Sequence, residues 1–369
     1  MRDKLESQAD RIEAFLKLHN VDARVTGGAV TPRWIRFKVL PANGAKISKI
    51  RGLNEPLAAA LDVSDCRVSR RGASVAIEVP RDDPRPVRLL PLYRQLTAIP
   101  SFTATLGLTD EGAPLLIRLP SPDVAHILVA GDPGSGKTAL LQSIILSLAM
   151  SNSDKALALV LVDPNRSALH PFDALPHLAR PVIRGRGDLS EVFQSLVRLM
   201  ESRRGDTRGL FPHVVLAIDD LNDLLTTTAT NAISVQQSLT RLLQHGREAG
   251  IHVIAATQKP AAVLDSLTNA NFSVRLVGRV SSANDARIAT GVCGTGAERL
   301  LGGGDFLAVA EGNLARFQAA HVSPEEIQRV VQRIASESTI EALPEAARNT
   351  ALIPRESAYS VLNEHRGVR

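Results

Sequence analysis

Aromatic side chains are scarce in this chain, at 3% of 369 residues, with one Trp and two Tyr. That composition disfavours nucleic-acid binding on stacked aromatic platforms, so any contact to DNA falls to its phosphates. Cysteine is scarcer still: Cys66 and Cys293 stand far apart, neither with a second Cys or a His at ligand spacing. A disulfide scaffold and a zinc site are both disfavoured, and a reducing cytosol is the expected compartment. No apolar run approaches the 18 or more residues that a membrane-spanning helix needs, and the opening MRDKLESQADRIEAF has no signal-peptide core. There is no internal repeat and no low-complexity segment. Charge of one sign is not lacking overall, but it is unevenly placed. Residues 1–100 hold 18 Lys and Arg against 11 Asp and Glu, while the chain as a whole carries 43 against 38. A basic front fits a polyanionic partner and equally fits an inert solvated surface.

What is present is a glycine loop in a defined setting. The apolar run HILVA (126–130) feeds into Gly131-Asp132-Pro133-Gly134-Ser135-Gly136-Lys137-Thr138, and an apolar segment of helical length follows. Strand, G-x-x-x-x-G-K-T loop, helix is the P-loop arrangement: glycines let successive N–H groups turn onto a phosphate, and the helix N-terminus adds partial positive charge. Lys137 is expected to reach the β and γ phosphates, and the Thr138 hydroxyl to ligate Mg²⁺. ATP and Mg²⁺ are therefore the expected cofactors.

A nucleoside triphosphatase also needs a carboxylate near the metal and a group that orients water. The run VVLAI ends in Asp219-Asp220, and acids at the C-terminal end of a buried strand point into the crevice that the P-loop occupies. Asp219 is expected as a second Mg²⁺ contact, through water, and Asp220 as the base that polarises the attacking water. The competing reading, that such acids cap the next helix, suits Asp223 better. Gln258 follows IHVIAAT (251–257) and has the chemistry to sense the γ-phosphate or hold the water, and Asp163-Pro164 follows a third apolar run, ALVLV.

Alternating strands and helices from residue 124 to 335 predict an α/β, RecA-like P-loop domain, its parallel sheet covered by helices on both faces. Before it, Leu5, Ala9, Ile12, Phe15 and Leu16 at helical spacing and Ile35, Phe37 and Val39 at strand spacing predict a small basic α/β domain over 1–86. Residues 87–123 read as a connecting stretch with a hairpin around Asp110-Glu111-Gly112, and 336–369 as a tail.

The blocks GDPGSGKT (131–138), LVDPNR (161–166), VVLAIDDLNDLL (214–225), REAGIHVIAATQKP (247–260), NANFSVRLVGRVSSANDARIATG (269–291) and ERLLGGGDFLAV (298–309) resemble, in order, those of the FtsK/SpoIIIE DNA translocase motor. The front domain resembles that family's α domain, a feature that HerA-like and conjugative coupling ATPases do not share. The resemblance implies a homo-oligomer, a hexameric ring, that threads double-stranded DNA. It implies that Arg275 acts on a neighbouring subunit's γ-phosphate, and that Arg287 and Arg316 sit on loops touching the DNA backbone. A solvated face or an inter-subunit ion pair is the plainer reading of all three arginines. The family usually has Glu where this chain has Asp220, and a carboxylate set back by one methylene predicts slow or DNA-dependent hydrolysis. Neither the family's sequence-reading winged-helix domain nor its membrane segment is expected here, which gives a cytoplasmic stand-alone motor. The alternatives are a secretion or conjugation ATPase of the same superfamily and a weakly hydrolysing DNA-binding adaptor ring.

Overall fold

The computed structural model describes residues 2–42, 47–63, 65–72, 74–165, 168–185, 189–204, 211–225, 229–267 and 272–342. Arg166 and Asn269-Ala270-Asn271, from two of the blocks above, lie outside them, as do residues 343–369 of the expected tail. The chain divides into two compact units, 1–86 and 87–369.

In the first unit, α1 (Arg2–Leu18) precedes β1 (Ala23–Val30) and β2 (Trp34–Pro41). Then come α2 (Ile47–Arg51), α3 (Asn54–Leu61), β3 (Arg67–Arg71) and β4 (Ser74–Pro80). The strands form an antiparallel sheet of order β1-β2-β4-β3. Ile12 and Leu16 of α1, Leu57 and Leu61 of α3, and Phe37, Val39, Val75, Ile77 and Val79 of the sheet share one core. β1 is absent from the sequence reading because Gly27-Gly28 breaks its apolar alternation; the pairing of β1 with β2 shifts register between Val25 and Gly27. Part of the unit's positive charge is consumed internally. Arg67 lies over the Trp34 ring at 4.2 Å, and Arg36 pairs with Glu78 at 2.7 Å. Arg24, Lys38, Lys49, Arg51 and Arg70 are exposed.

The second unit opens with β5 (Val87–Arg88), α4 (Leu89–Gln95), β6 (Thr103–Thr109) and β7 (Pro114–Arg118). β8 (Ile127–Ala130) then leads through the P-loop into α5 (Lys137–Ser151) and β9 (Leu157–Val162). Next come α6 (Leu189–Arg203), β10 (His213–Ile218), α7 (Leu221–Leu225), α8 (Ala229–His245), β11 (Ile251–Thr257) and α9 (Pro260–Leu267). β12 (Val274–Val277), α10 (Ala283–Thr290), β13 (Asp305–Ala310), β14 (Asn313–His321) and α11 (Pro324–Ala342) complete it. The sheet order is β7-β6-β14-β13-β12-β8-β11-β10-β9, with β5 pairing to β14.

Five consecutive strands at one end of the sheet, β12-β8-β11-β10-β9, are parallel as the sequence leads one to expect. β13, β14, β6 and β7 extend the sheet in antiparallel fashion, so the whole is mixed rather than all-parallel. The stretch 87–123 thus supplies three strands and a helix to this sheet instead of passing beside it. Its polar hairpin reads as a surface excursion, and only the pairing of Gly107 to Ala319 with Phe317 to Thr109 places it. Two apolar layers cover the faces. One holds Leu140, Ile144 and Leu148 of α5; the other holds Val192, Phe193 and Leu196 of α6 with Leu239 and Leu242 of α8. α5 is buried along most of its length, and its two interior hydroxyls are satisfied: Ser143 Oγ donates to the Ala320 carbonyl at 2.7 Å, and Ser147 Oγ accepts from Thr105 N at 3.0 Å. No helix among the described residues is long and apolar enough to cross a membrane.

Candidate nucleotide site

The P-loop joins β8 to α5, and its shape is set by what packs behind it. Gly136 occupies the N-cap of α5 at φ 103°, and a Cβ there would lie 2.9 Å from the backbone nitrogen of Gly304. Gly303 N and Gly304 N donate to the carbonyls of Gly134 and Ser135 at 3.0 and 2.8 Å. The Gly302-Gly303-Gly304 run is therefore a backbone brace for the P-loop, since only residues without side chains allow two main chains to approach so closely. On the other flank, Asp132 N donates to the Arg279 carbonyl at 2.7 Å, and Asp132 Oδ2 accepts from Ser281 Oγ at 2.7 Å. Both braces hold the loop from behind, the Gly134 and Ser135 carbonyls bonded to the glycine run and the Asp132 side chain to Ser281.

A cleft of about 620 Å³ lies over this loop. Pro133, Gly134, Gly136, Lys137, Thr138, Asp219, Asp220 and Gln258 line it, so the P-loop, the β10 terminus and the β11 terminus converge as the sequence reading requires. Lys137 Nζ donates to the Asp132 carbonyl at 2.9 Å, folded back on its own loop. Burial lowers its pKa, against the raising influence of Asp219, Asp220 and Asp132. The Thr138 hydroxyl donates to Asp219, 3.1 Å from Oδ1 and 3.4 Å from Oδ2. Burial pushes the Asp219 carboxyl up to about 6, with Asp163 and Asp220 adding to the rise and Thr138 and Lys137 opposing it.

Asp220 has φ 65°, the left-handed region, which Asp tolerates better than most residues. Its Oδ1 accepts from Asp223 N at 3.4 Å, and its Oδ2 accepts from Gln258 Nε2 at 3.3 Å. The carboxylate therefore both caps the short α7 and meets the β11 glutamine. Asp163 is placed differently: fully buried, it accepts from the amides of Ala168 and Leu169 at 2.8 and 2.9 Å and holds the loop after β9.

The three arginines separate. Arg275, in β12, does not line the cleft; its Nη1 donates to the Ile288 and Ala289 carbonyls at the end of α10, at 3.2 and 3.4 Å. Arg287 is exposed on α10 and donates to Asn284 Oδ1 at 3.2 Å. Arg316 corrects an expectation: it lies within strand β14, not on a loop, and its Nε donates to Asp305 at 2.7 Å with Nη2 bonded to the same carboxylate. With side-chain exposures of 15% for Arg316 and 5% for Asp305, this charge serves the β13–β14 pair, and drawing it to a phosphate would strip a buried carboxylate.

Several cleft residues were not singled out from sequence: Ala139, Gln142, Asn165, His321, Val322 and Pro324. The Ser323-Pro324-Glu325-Glu326 helix start is readable as such, but nothing local places it beside the P-loop.

The FtsK/SpoIIIE family matches over residues 96–208, and the FtsK alpha domain over residues 1–81. A DNA translocase FtsK from Staphylococcus epidermidis is 31% identical over 366 residues, covering 90% of this chain and 45% of that protein. The DNA translocase SftA of Bacillus subtilis is 32% identical over 362 residues, covering 90% of this chain and 37% of that protein. The chain thus spans less than half the length of these relatives. Among solved structures, the pCW3 conjugation coupling protein TcpA with ATPγS is similar in fold, with a TM-score of 0.62 at 17% identity, covering 90% of this chain and 99% of that one. The cytoplasmic domain of the type VII secretion ATPase EccC of Thermomonospora curvata gives a TM-score of 0.58 at 23% identity, covering 68% and 34%. With its P-loop fold, its front domain and these two family matches in chain order, the chain belongs to the FtsK/SpoIIIE family.

Proposed function

We propose that this chain is an ATP-driven motor that moves double-stranded DNA, working as a ring of identical subunits. The observation that carries the reading is the convergence of Lys137, Thr138, Asp219, Asp220 and Gln258 on one cleft of nucleotide size. The family supplies the cargo: the relatives named above are DNA translocases.

The cleft's groups divide the work. Lys137 leaves the Asp132 carbonyl for the β and γ phosphates, and the brace from Gly303 and Gly304 keeps the loop in shape as it does so. The residues suit Mg²⁺: Thr138 and Asp219 meet as hard oxygen donors beside the P-loop. When bound, Mg²⁺ neutralises charge on the β and γ phosphates. Asp220 takes a proton from water as its oxygen bonds to the γ-phosphorus, the bond to the β–γ bridging oxygen breaks, and ADP leaves with that electron pair. Gln258, 3.3 Å from Asp220, orients the same water.

In this reading Arg275, which does not line its own chain's cleft, serves a neighbouring subunit's γ-phosphate as the family resemblance implies, and this makes the ring part of the active site. Six subunits are the number the family resemblance implies. Arg287, exposed on α10, is the DNA-backbone contact that stays in this reading, with Arg316 withdrawn to Asp305.

The test is steady-state ATP hydrolysis with and without linear duplex DNA, with Lys137→Ala as the blank. Stimulation by DNA of arbitrary sequence, followed by displacement of a bound roadblock, supports the motor. Turnover at the blank level with DNA present sinks it in favour of an adaptor ring, and stimulation by a protein cargo instead of DNA would favour the secretion reading.

A further inference from the structure

The residue after the first glycine of the P-loop is an acid. Asp132 stands in a loop whose N–H groups, with Lys137 and the N-terminus of α5, suit the anionic phosphates of a nucleotide. A carboxylate there repels the ligand and attracts Lys137. Left free, it would compete with phosphate for the lysine.

The sheet determines what holds it. β12 runs parallel to β8 with Val277 beside Ala130, so the segments that leave the two strands stay side by side. Gly278 N donates to the Ala130 carbonyl at 2.8 Å, and Asp132 N to the Arg279 carbonyl at 2.7 Å. Just beyond, Ser281 Oγ donates to Asp132 Oδ2 at 2.7 Å. Ser281 is itself fixed, because the next residue, Ser282, caps α10, its Oγ accepting from Asp285 N at 3.1 Å.

The main-chain oxygen of Asp132 has different partners: it accepts from Lys137 Nζ at 2.9 Å and from Ser135 N at 3.1 Å. One residue thus meets the lysine with its carbonyl and the serine with its carboxylate. Pro133, Gly134 and Lys137 line the nucleotide cleft, and Asp132 does not. An ammonium resting on that carbonyl comes within reach of the same residue's carboxylate once the Asp132 side chain rotates. A charge-assisted bond between the two ions is stronger than the bond to a neutral carbonyl, so a released carboxylate would hold Lys137 more firmly than the carbonyl does.

We propose that Ser281 is a positioning residue for nucleotide binding, holding the Asp132 carboxylate off the phosphate cradle so that Lys137 is left to the triphosphate. The proposal rests on the nucleotide reading above. It is tested by the equilibrium affinities of the full chain for ATP and for inorganic tripolyphosphate, each with Mg²⁺. Ser281→Ala is expected to weaken both ligands about tenfold, the scale of one like charge brought beside bound phosphates. The deciding measurement repeats this substitution in an Asp132→Asn background. Asparagine accepts the same hydrogen bond without the charge, so there Ser281→Ala should change either affinity by less than about twofold. A similar loss in both backgrounds would mean that Ser281 only braces the loop, and it overturns the proposal. So does Ser281→Ala weakening ATP alone, or neither ligand. Lys137→Ala separates the two readings: if it leaves both ligands bound as in the wild type, the nucleotide reading has failed. If it weakens both while Ser281→Ala weakens neither, only the assignment of Ser281 has.

Discussion

Gln258 Nε2 donates to Asp220 Oδ2 at 3.3 Å, joining the ends of two neighbouring strands over the nucleotide cleft, with Asp220 held at φ 65°. A carboxylate in a sparsely populated backbone region, tied to a second polar strand end, is the arrangement expected where aim matters more than local comfort. Asp220→Asn keeps the tolerance for this φ and removes the base, so turnover should fall ~10²–10⁴-fold while ATP still binds. Asp220→Glu should raise turnover by bringing the carboxylate closer to the water, since a misplacement of about 1 Å costs roughly 10²-fold. Single-turnover hydrolysis at saturating ATP separates these outcomes; an Asn variant at full speed would remove Asp220 from the chemistry.

Gly304 sits at φ 93°, and a Cβ on it would lie 2.6 Å from Gln318 Nε2. Gly304→Ala should cost about 2 kcal/mol through left-handed strain alone, and it should loosen ATP binding, because the Gly304 amide holds the Ser135 carbonyl. Thermal melts with and without ATP check both parts. An unchanged ATP affinity would show that the brace does not shape the P-loop.

Arg275 donates to two carbonyls at the end of α10 and does not line its own chain's cleft. Arg275→Ala is expected to cut hydrolysis ~10³–10⁵-fold if it completes a neighbour's site. Mixing it with Lys137→Ala should recover activity at the junctions where a good cleft meets a good arginine. Recovery that never exceeds the sum of the separate variants would remove the assignment in trans.

Arg316 and Arg287 should behave oppositely. Arg316→Ala removes the cation from the buried Asp305 carboxylate, which keeps its hydrogen bond from Leu301 N, and should destabilise the second unit by ~3–5 kcal/mol, read as a lower urea midpoint. Arg287→Ala should leave that midpoint in place, weaken duplex DNA binding and flatten its dependence on salt. A stable Arg316→Ala with impaired DNA binding would restore the loop-arginine reading.

At the opposite edge of the sheet, three histidines form a neutral network. His213 Nδ1 and His252 Nε2 are 3.1 Å apart, His252 Nδ1 is 3.2 Å from the Ala125 carbonyl, and His126 Nδ1 accepts from Val253 N at 3.0 Å. Burial pulls His126 down to about 3 and His252 to about 4; the charge of His252 acts in the same direction on His126, that of His213 on His252, and that of Arg247 on both. A folded pKa below the unfolded value of about 6.5 means that the unfolded chain binds protons first. The network's contribution is therefore whole above pH 6.5 and falls as pH drops from there toward 4 and then 3. Between pH 6.5 and 5 the loss should be on the order of 2 kcal/mol for each of His126 and His252, and a urea midpoint that stays flat over that interval would contradict it.

The local parts of this protein were legible in its residues. The P-loop needs glycine, lysine and threonine in sequence, so Gly131 to Thr138 announce themselves, and apolar runs ending in Asp219 or Gln258 announce buried strands with polar ends. Period-2 and period-3.6 patterns are properties of neighbouring residues, and so the front helix over Leu5–Leu16 and the strand around Phe37 were equally readable. The family resemblance rested on the same short blocks, each quoted from contiguous residues.

Tertiary structure decided what depends on residues far apart in the chain. Arg316 looks like any exposed basic residue until β13 and β14 pair and set it on Asp305, eleven positions earlier. The triple glycine at 302–304 reads as a flexible turn until its amides are seen on the P-loop carbonyls, because close approach of two backbones leaves no side-chain pattern to read. His321 lies more than 180 residues from Lys137, and only two antiparallel reversals return its strand to the P-loop edge. Contacts within one element follow from its own period, whereas contacts between elements follow from strand order and direction, which a single sequence encodes only through the fold as a whole.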